Sequence, residues 1–230
     1  MLLLAIEAAT LHVSLALGDG ARTVAELEIS PPTNSSDRLP QAVTELLAQA
    51  GKSLAELSGI VVGTGPGSLT GLRVAHATAK GLGYALRIPV LGISSLEALA
   101  FDCPVGPELI VPVVDARRGE LYAGRFRRHG DRVEVLEAAL ALAAPALAEK
   151  LRSEGPLRVV GPSVDLVRPA LDALQLPVSY DGPQLPRARA LLALCPALPP
   201  FDAAAVFALE PRYVRAPESE WTLKPKKQKG

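Results

Sequence analysis

The sequence predicts an α/β protein of two lobes, each built in the same order: three strands, a helix, then alternating strands and helices. Three observations predict it. First, residues 2–8, 13–17 and 23–29 are short apolar runs of strand character, and Asp19-Gly20 is a hairpin signal between the second and third. Second, helical periodicity follows, with Leu39, Val43, Leu46, Leu47 and Ala50 on one face and Gly51 as the stop. It gives way to strands around Ile60 and at 90–93, and to helices at 72–86 and from Ser95. Third, the order repeats: strands at 109–114, 120–126 and 132–136, a helix at 146–153, a strand at 157–160, a helix at 164–174 and a strand at 177–180. Three antiparallel strands followed by alternating helices and strands is the ribonuclease-H-like layout. Two such lobes facing each other make an actin-like (ASKHA) architecture. The halves share little residue identity, so the duplication is one of architecture, with its join at 103–107. The expected division is an N-terminal lobe at 1–104 and a second, degenerate lobe at 105–220 that carries further helices at 187–195 and 203–209. The basic stretch 221–230 has no apolar pattern and is expected to be a disordered tail.

Composition narrows the function classes. With 230 residues, 49% of them apolar, the chain can bury a sizeable core. Lysine plus arginine equals aspartate plus glutamate at 24 each, which argues against a dedicated nucleic-acid binder. Residues 1–6 are apolar but lack a basic start and a small-residue cleavage site, and the run is too short to span a membrane. A cytoplasmic protein with no membrane partner is the expectation. Cys103 and Cys195 fit no metal or redox spacing and read as reduced thiols. His12, His76 and His129 are scattered, so no metal site is expected.

The most informative segment is Gly63-Thr64-Gly65-Pro66-Gly67-Ser68-Leu69-Thr70-Gly71-Leu72-Arg73, between the strand at Ile60 and the helix at 72–86. Its glycines imply a tight strand-to-helix turn. Ser68 or Thr70 can cap the helix, and the helix start can hold an anion. A Walker loop fails here because Gly71 is followed by Leu72-Arg73. A dinucleotide loop fails because its third glycine would fall on Ser68 or Thr70. The helix itself carries Arg73, His76, Lys80 and Arg87 on a narrow stripe and is apolar or small elsewhere, so it is buried on more than one side. Either it is a central helix of its own lobe, or it lies between its own sheet and a partner chain. In two-lobed folds of this kind the first strand-to-strand turn of each lobe borders the cleft. Here those turns bring Glu7 and Asp115, which with Gly65 and Gly67 are weak candidates for holding a ligand. No lysine accompanies them.

Four segments carry a resemblance: Glu7-Ala8-Ala9-Thr10, the glycine-rich stretch from Gly65 to Arg73, Asp115-Ala116-Arg117-Arg118-Gly119-Glu120-Leu121-Tyr122, and Pro211-Arg212-Tyr213-Val214-Arg215. In this order, over nearly the whole chain, they resemble the TsaB (YeaZ) family of bacterial tRNA threonylcarbamoyladenosine biosynthesis proteins. The resemblance implies an actin-like fold and a part in threonylcarbamoyl transfer to adenosine 37 of ANN-reading tRNAs. It implies a non-catalytic scaffold or activator that pairs with the metal-bearing paralogue TsaD, alongside the ATPase TsaE, and that meets tRNA only through the complex. TsaD carries a His-x-x-x-His motif and this chain has none. No catalytic residue and no cofactor is therefore expected. Family members pair through their first two main helices, which implies a partner-binding patch of Leu39, Val43, Leu46, Leu47, Leu72, Ala75, His76, Ala79 and Leu82, and a homodimer when the chain is alone. The competing class is a small actin-like ATPase or phosphotransferase, which needs a phosphate loop in each lobe. The second lobe offers only Gly119 and the poorly matching Gly161-Pro162-Ser163.

Overall fold

A computed structural model describes residues 1–20, 22–30 and 35–214. The stretch 221–230, expected to be a disordered tail, lies outside the described residues. The first sheet contains β1 (Leu2–Glu7), β2 (Val13–Asp19), β3 (Arg22–Ile29), β4 (Leu57–Gly63) and β5 (Val90–Ile93), in the order β3-β2-β1-β4-β5. β1 runs antiparallel to β2 and parallel to β4. Helices α1 (Ser35–Gln49), α2 (Leu69–Leu86) and α3 (Ser95–Phe101) connect them. The second sheet contains β6 (Leu109–Arg117), β7 (Glu120–His129), β8 (Arg132–Ala143), β9 (Leu157–Val160) and β10 (Val178–Ser179), in the order β10-β9-β6-β7-β8. Its helices are α4 (Ala144–Leu151) and α5 (Val164–Ala173). Read by rank in each half, the strand order is the same. The two-lobed α/β architecture is the one the element order predicts.

The continuous apolar run of β1 has a simple cause: both faces of the sheet are covered. Leu2, Leu4 and Ile6 point into a cluster with Leu39, Val43 and Leu46 of α1 and Ala75 and Ala79 of α2. Leu3 and Ala5 point to the other face, where Ala188, Leu191 and Leu192 pack. Those residues belong to α6 (Ala188–Leu194), and α7 (Ala203–Ala208) follows it. Sequence order assigned both helices to the second lobe. Instead α6 packs on β1 and β2, and α7 packs on α2. β1 and β2 leave an apolar face that only a covering helix can bury, and the chain returns to provide it. α3 is shared. Leu96, Leu99 and Ala100 join β6 and β7, while Ala98 joins the α6 side.

The patch assigned to a partner is not exposed. Leu39, Val43, Leu46, Leu47, Leu72, Ala75, His76 and Ala79 are all buried in their own chain, and half-buried Leu82 packs against the same cluster. Each large aliphatic side chain there is worth about 1.5–3 kcal/mol to the fold. α2 is apolar nearly all round because β4, α1 and α7 cover it on three sides. Its remaining side exposes Arg73, Ala77, Gly81, Tyr84 and Ala85. Among the described residues no helix is long and apolar enough to cross a membrane.

Candidate functional site

The first wall of the site is the β1–β2 turn seated on the start of α2. A side chain at Gly67 would overlap the Ala9 carbonyl oxygen, and one at Gly71 the Ala8 carbonyl oxygen. Only glycine allows this approach. The Ser68 N–H then donates to the Ala9 carbonyl at 2.7 Å, and the Ser68 hydroxyl caps α2 by accepting from the Gly71 N–H at 3.3 Å. Ser68 is the N-cap; Thr70 lies inside the helix.

Glu7 holds this wall from behind. It is 1% exposed, and its carboxylate accepts from the Ala9 N–H and from the Ser95 hydroxyl, both at 2.7 Å. Ser95 opens α3. Its hydroxyl also accepts from the Gly65 N–H at 3.1 Å, and its own N–H donates to the Gly65 carbonyl at 3.0 Å. Burial pushes the Glu7 pKa up from 4.5 to about 7, against the smaller opposing pull of its hydrogen bonds. Glu7 and Gly65 are thus tied to each other through Ser95, a residue with no signal in the sequence beyond its place at a helix start.

The opposite wall is the β6–β7 turn. Asp115 accepts from the Arg117 N–H at 2.7 Å, and its other oxygen lies 3.2 Å from the Arg117 guanidinium. Arg117, Arg118 and Gly119 all sit at positive φ, of 64°, 56° and 78°. For the two arginines this costs about 1–2 kcal/mol each, and such strain concentrates at functional sites. Between the walls lies a cleft of about 700 Å³ whose lining includes Gly67, Leu69, Asp115, Arg117, Arg118 and Tyr213, together with Leu11, Tyr122, Ser163, Leu166 and Arg212. That volume suits a small ligand or a short peptide segment. Asp115 and Gly67 border the cleft; Glu7 and Gly65 do not.

The remaining candidates lie elsewhere. His76 is buried, and among the described residues neither ring nitrogen finds a well-formed hydrogen bond. Burial lowers its pKa, although the backbone at Gly63 and Leu209 favours the proton slightly. Beside it Lys80 binds the Phe207 carbonyl at 3.0 Å and Glu210 at 2.6 Å. The Arg212 N–H donates to the Thr64 carbonyl at 2.8 Å. Residues 207–212 are in this way strapped along α2 to the cleft, which puts Arg212 and Tyr213 at its edge. Sequence reading noted these two and Tyr122 only as parts of motifs, weighed Ser163 only within a poorly matching loop, and missed Leu166. Cys103 is a buried free thiol pushed up to about 12 by burial, and Cys195 is half-buried and free. Among the described residues no three of His, Cys, Asp or Glu are grouped to hold a metal ion.

The chain has clear relatives. It is 32% identical over 144 residues to the tRNA threonylcarbamoyladenosine biosynthesis protein TsaB of Escherichia coli K12, covering 59% of this chain and 62% of that one. It is 39% identical over 127 residues to the Bacillus subtilis 168 protein of the same name, covering 55% and 56%. The chain thus spans less than two thirds of the length of these two curated relatives. A crystal structure described as an uncharacterized protein with similarity to peptidase YeaZ from Pseudomonas aeruginosa superposes with a TM-score of 0.76 at 26% identity. It covers 93% of this chain and 99% of its own. The family model described as TsaD, tRNA N6-adenosine threonylcarbamoyltransferase, matches residues 30–208. A match of that extent, with TsaB-named relatives beside it, means that the chain belongs to this threonylcarbamoyltransferase family and resembles its TsaB members.

Proposed function

We propose that the chain takes part in making threonylcarbamoyladenosine in ANN-reading tRNAs as a non-catalytic subunit that pairs with a TsaD-type catalytic chain. The names of its relatives support the pathway. The observation that carries the non-catalytic half is the fate of the two cleft-turn carboxylates. Glu7 is enclosed and bonded to Ala9 and Ser95, and Asp115 is bonded to Arg117. Both hold their turns in shape, and Glu7 does not border the cleft. The family resemblance adds TsaE as a further component and self-pairing when the catalytic chain is absent.

The surface for pairing is the outer side of α2, not the buried patch. Ala77, Gly81 and Ala85 are exposed there between Arg73 and Tyr84. A side chain added at Gly81 would meet nothing within 4 Å among the described residues. Glycine costs about 1 kcal/mol inside a helix, and its presence at an open position fits a second helix that must approach closely, since interaxial distance is set by the side chains at the contact. The test is modification of an ANN-reading tRNA by the TsaD-type chain, TsaE and activated threonylcarbamoyl donor, with and without this chain. Modification that depends on the chain, with none from the chain alone, supports the proposal. Turnover by the chain alone, lost in Glu7→Ala or Asp115→Ala, overturns it.

A further inference from the structure

A second cavity, of about 480 Å³, opens beside β5 at the edge of the first sheet. Arg212 borders both this cavity and the cleft; the other residues that line it do not reach the cleft. Its walls come from four parts of the chain: Gly92 of β5, Glu97 in the first turn of α3, Leu194 and Pro196 at and after the end of α6, and Glu210 and Arg212 of the strap. The walls are fixed against one another. The Arg212 N–H donates to the Thr64 carbonyl at 2.8 Å, and a side chain at Gly92 would come within 2.5 Å of the Thr64 methyl and 2.9 Å of Leu209. Only glycine lets the strap close so tightly on the strand. Arg212 is thus held by its backbone while its side chain is exposed.

Three charged side chains border this cavity, and one of them is already served: Glu210 binds Lys80 at 2.6 Å. The other two are open. Among the described residues neither the Glu97 carboxylate nor the Arg212 guanidinium makes a hydrogen bond or an ion pair; Arg212 attracts Glu97 only from beyond contact. Glu97 is half-buried, and a carboxylate taken partly out of water without a partner is costly. Burial accordingly raises its pKa, against a smaller opposing pull from Arg212. A guest that satisfies both groups carries a cation and an anion close together. A simple anion would meet Glu97 and Glu210, and a simple cation would leave the guanidinium, whose planar fork suits a carboxylate, without its counterpart. The volume suits a small molecule. We propose that this cavity binds a free α-amino acid, with its ammonium group on the Glu97 carboxylate, its carboxylate on the Arg212 guanidinium, and its side chain toward Leu194 and Pro196. The site is separate from the surface of α2 used for pairing, and it stands whether or not the chain pairs.

Titration calorimetry of the full chain with each of the protein amino acids tests this. At least one is expected to bind saturably at neutral pH. Its N-acetyl derivative, which lacks the ammonium, and its α-amide, which lacks the carboxylate, are each expected to bind about tenfold more weakly or worse, as the loss of a charge-assisted hydrogen bond requires. Glu97→Gln and Arg212→Gln are expected to weaken the unblocked amino acid by a similar factor. Glutamine keeps the shape of Glu97, Arg212 is exposed, and circular-dichroism melts check that both variants remain folded. The absence of saturable binding by any amino acid at millimolar concentration overturns the proposal. Blocked derivatives that bind the wild-type chain as well as the free amino acid overturn it too, and that result needs no variant. Binding that either folded variant leaves unchanged also overturns it, because the amino acid then sits elsewhere.

Discussion

Replacing Glu7 by glutamine is expected to make the protein more stable at neutral and alkaline pH and to leave it nearly unchanged in acid. Glu7 is enclosed, and its folded-state pKa is raised from 4.5 to about 7 by loss of hydration. Below pH 4.5 the carboxyl is protonated in both folded and unfolded chains and costs nothing. As pH rises from 4.5 to 7 the unfolded chain releases its proton while the folded chain keeps it, so stability is lost across that window. Two and a half pH units at about 1.4 kcal/mol each give a loss of about 3.5 kcal/mol. Glutamine retains the shape and still accepts from the Ala9 N–H, and its amide can donate to the Ser95 hydroxyl, as a protonated Glu7 can. Urea unfolding at intervals between pH 4 and pH 8, wild type against Glu7→Gln, reads the difference directly. Glu97 and Asp102, whose pKa values burial also raises, contribute to both curves and cancel in the difference. A gap that opens between pH 4.5 and pH 7 to about 3.5 kcal/mol supports the reasoning. A gap independent of pH, or a variant less stable than wild type at pH 8, refutes it, because Glu7 would then be a well-stabilised anion.

Four further outcomes follow, three of them from the same geometry. Gly67→Ala drives a methyl into the Ala9 carbonyl and is expected to cost about 1–3 kcal/mol. Gly81→Ala meets open space and is expected to gain about 1 kcal/mol in the monomer while weakening any helix pairing, and melts over a concentration series separate the two effects. Ala79→Arg buries a charge in the α1–α2 cluster and is expected to unfold the chain, since such a charge costs several kcal/mol; circular dichroism reads this. Affinity for tRNA alone is expected to be weak at physiological salt, given zero net charge, and a filter-binding titration against salt checks it, tight binding by a variant with Lys224, Lys226, Lys227 and Lys229 neutralised being the contrary result.

The lobes were legible because strand and helix periodicities are local. Val90–Ile93 and Leu157–Val160 match the strand runs in the sequence, and α5 starts at Val164 as the periodicity requires. β8 was read as ending at Leu136 but continues to Ala143. The stretch from Glu137 to Ala143 is rich in alanine and leucine, which favour helix, and pairing with β7 overrides that preference. The site was only half legible. Glycine spacing announced the tight turn, but nothing local announces that Ser95, 88 residues from Glu7, closes the bond behind it. The apolar character of α2 was visible, yet periodicity does not say what covers a helix. Its neighbours are β4, α1 and the returning α7, and only the tertiary arrangement distinguishes them from a partner chain.

Pairing through the outer side of α2 is the central claim, and Ala77→Arg tests it most directly. Ala77 is exposed in the monomer, so arginine there leaves the core intact. The measurement is coelution of the variant with the TsaD-type chain on a sizing column, run beside tRNA modification and a thermal melt. The account predicts an unchanged melt with both coelution and modification lost. A variant that melts as wild type, coelutes with the catalytic chain and supports full modification contradicts it.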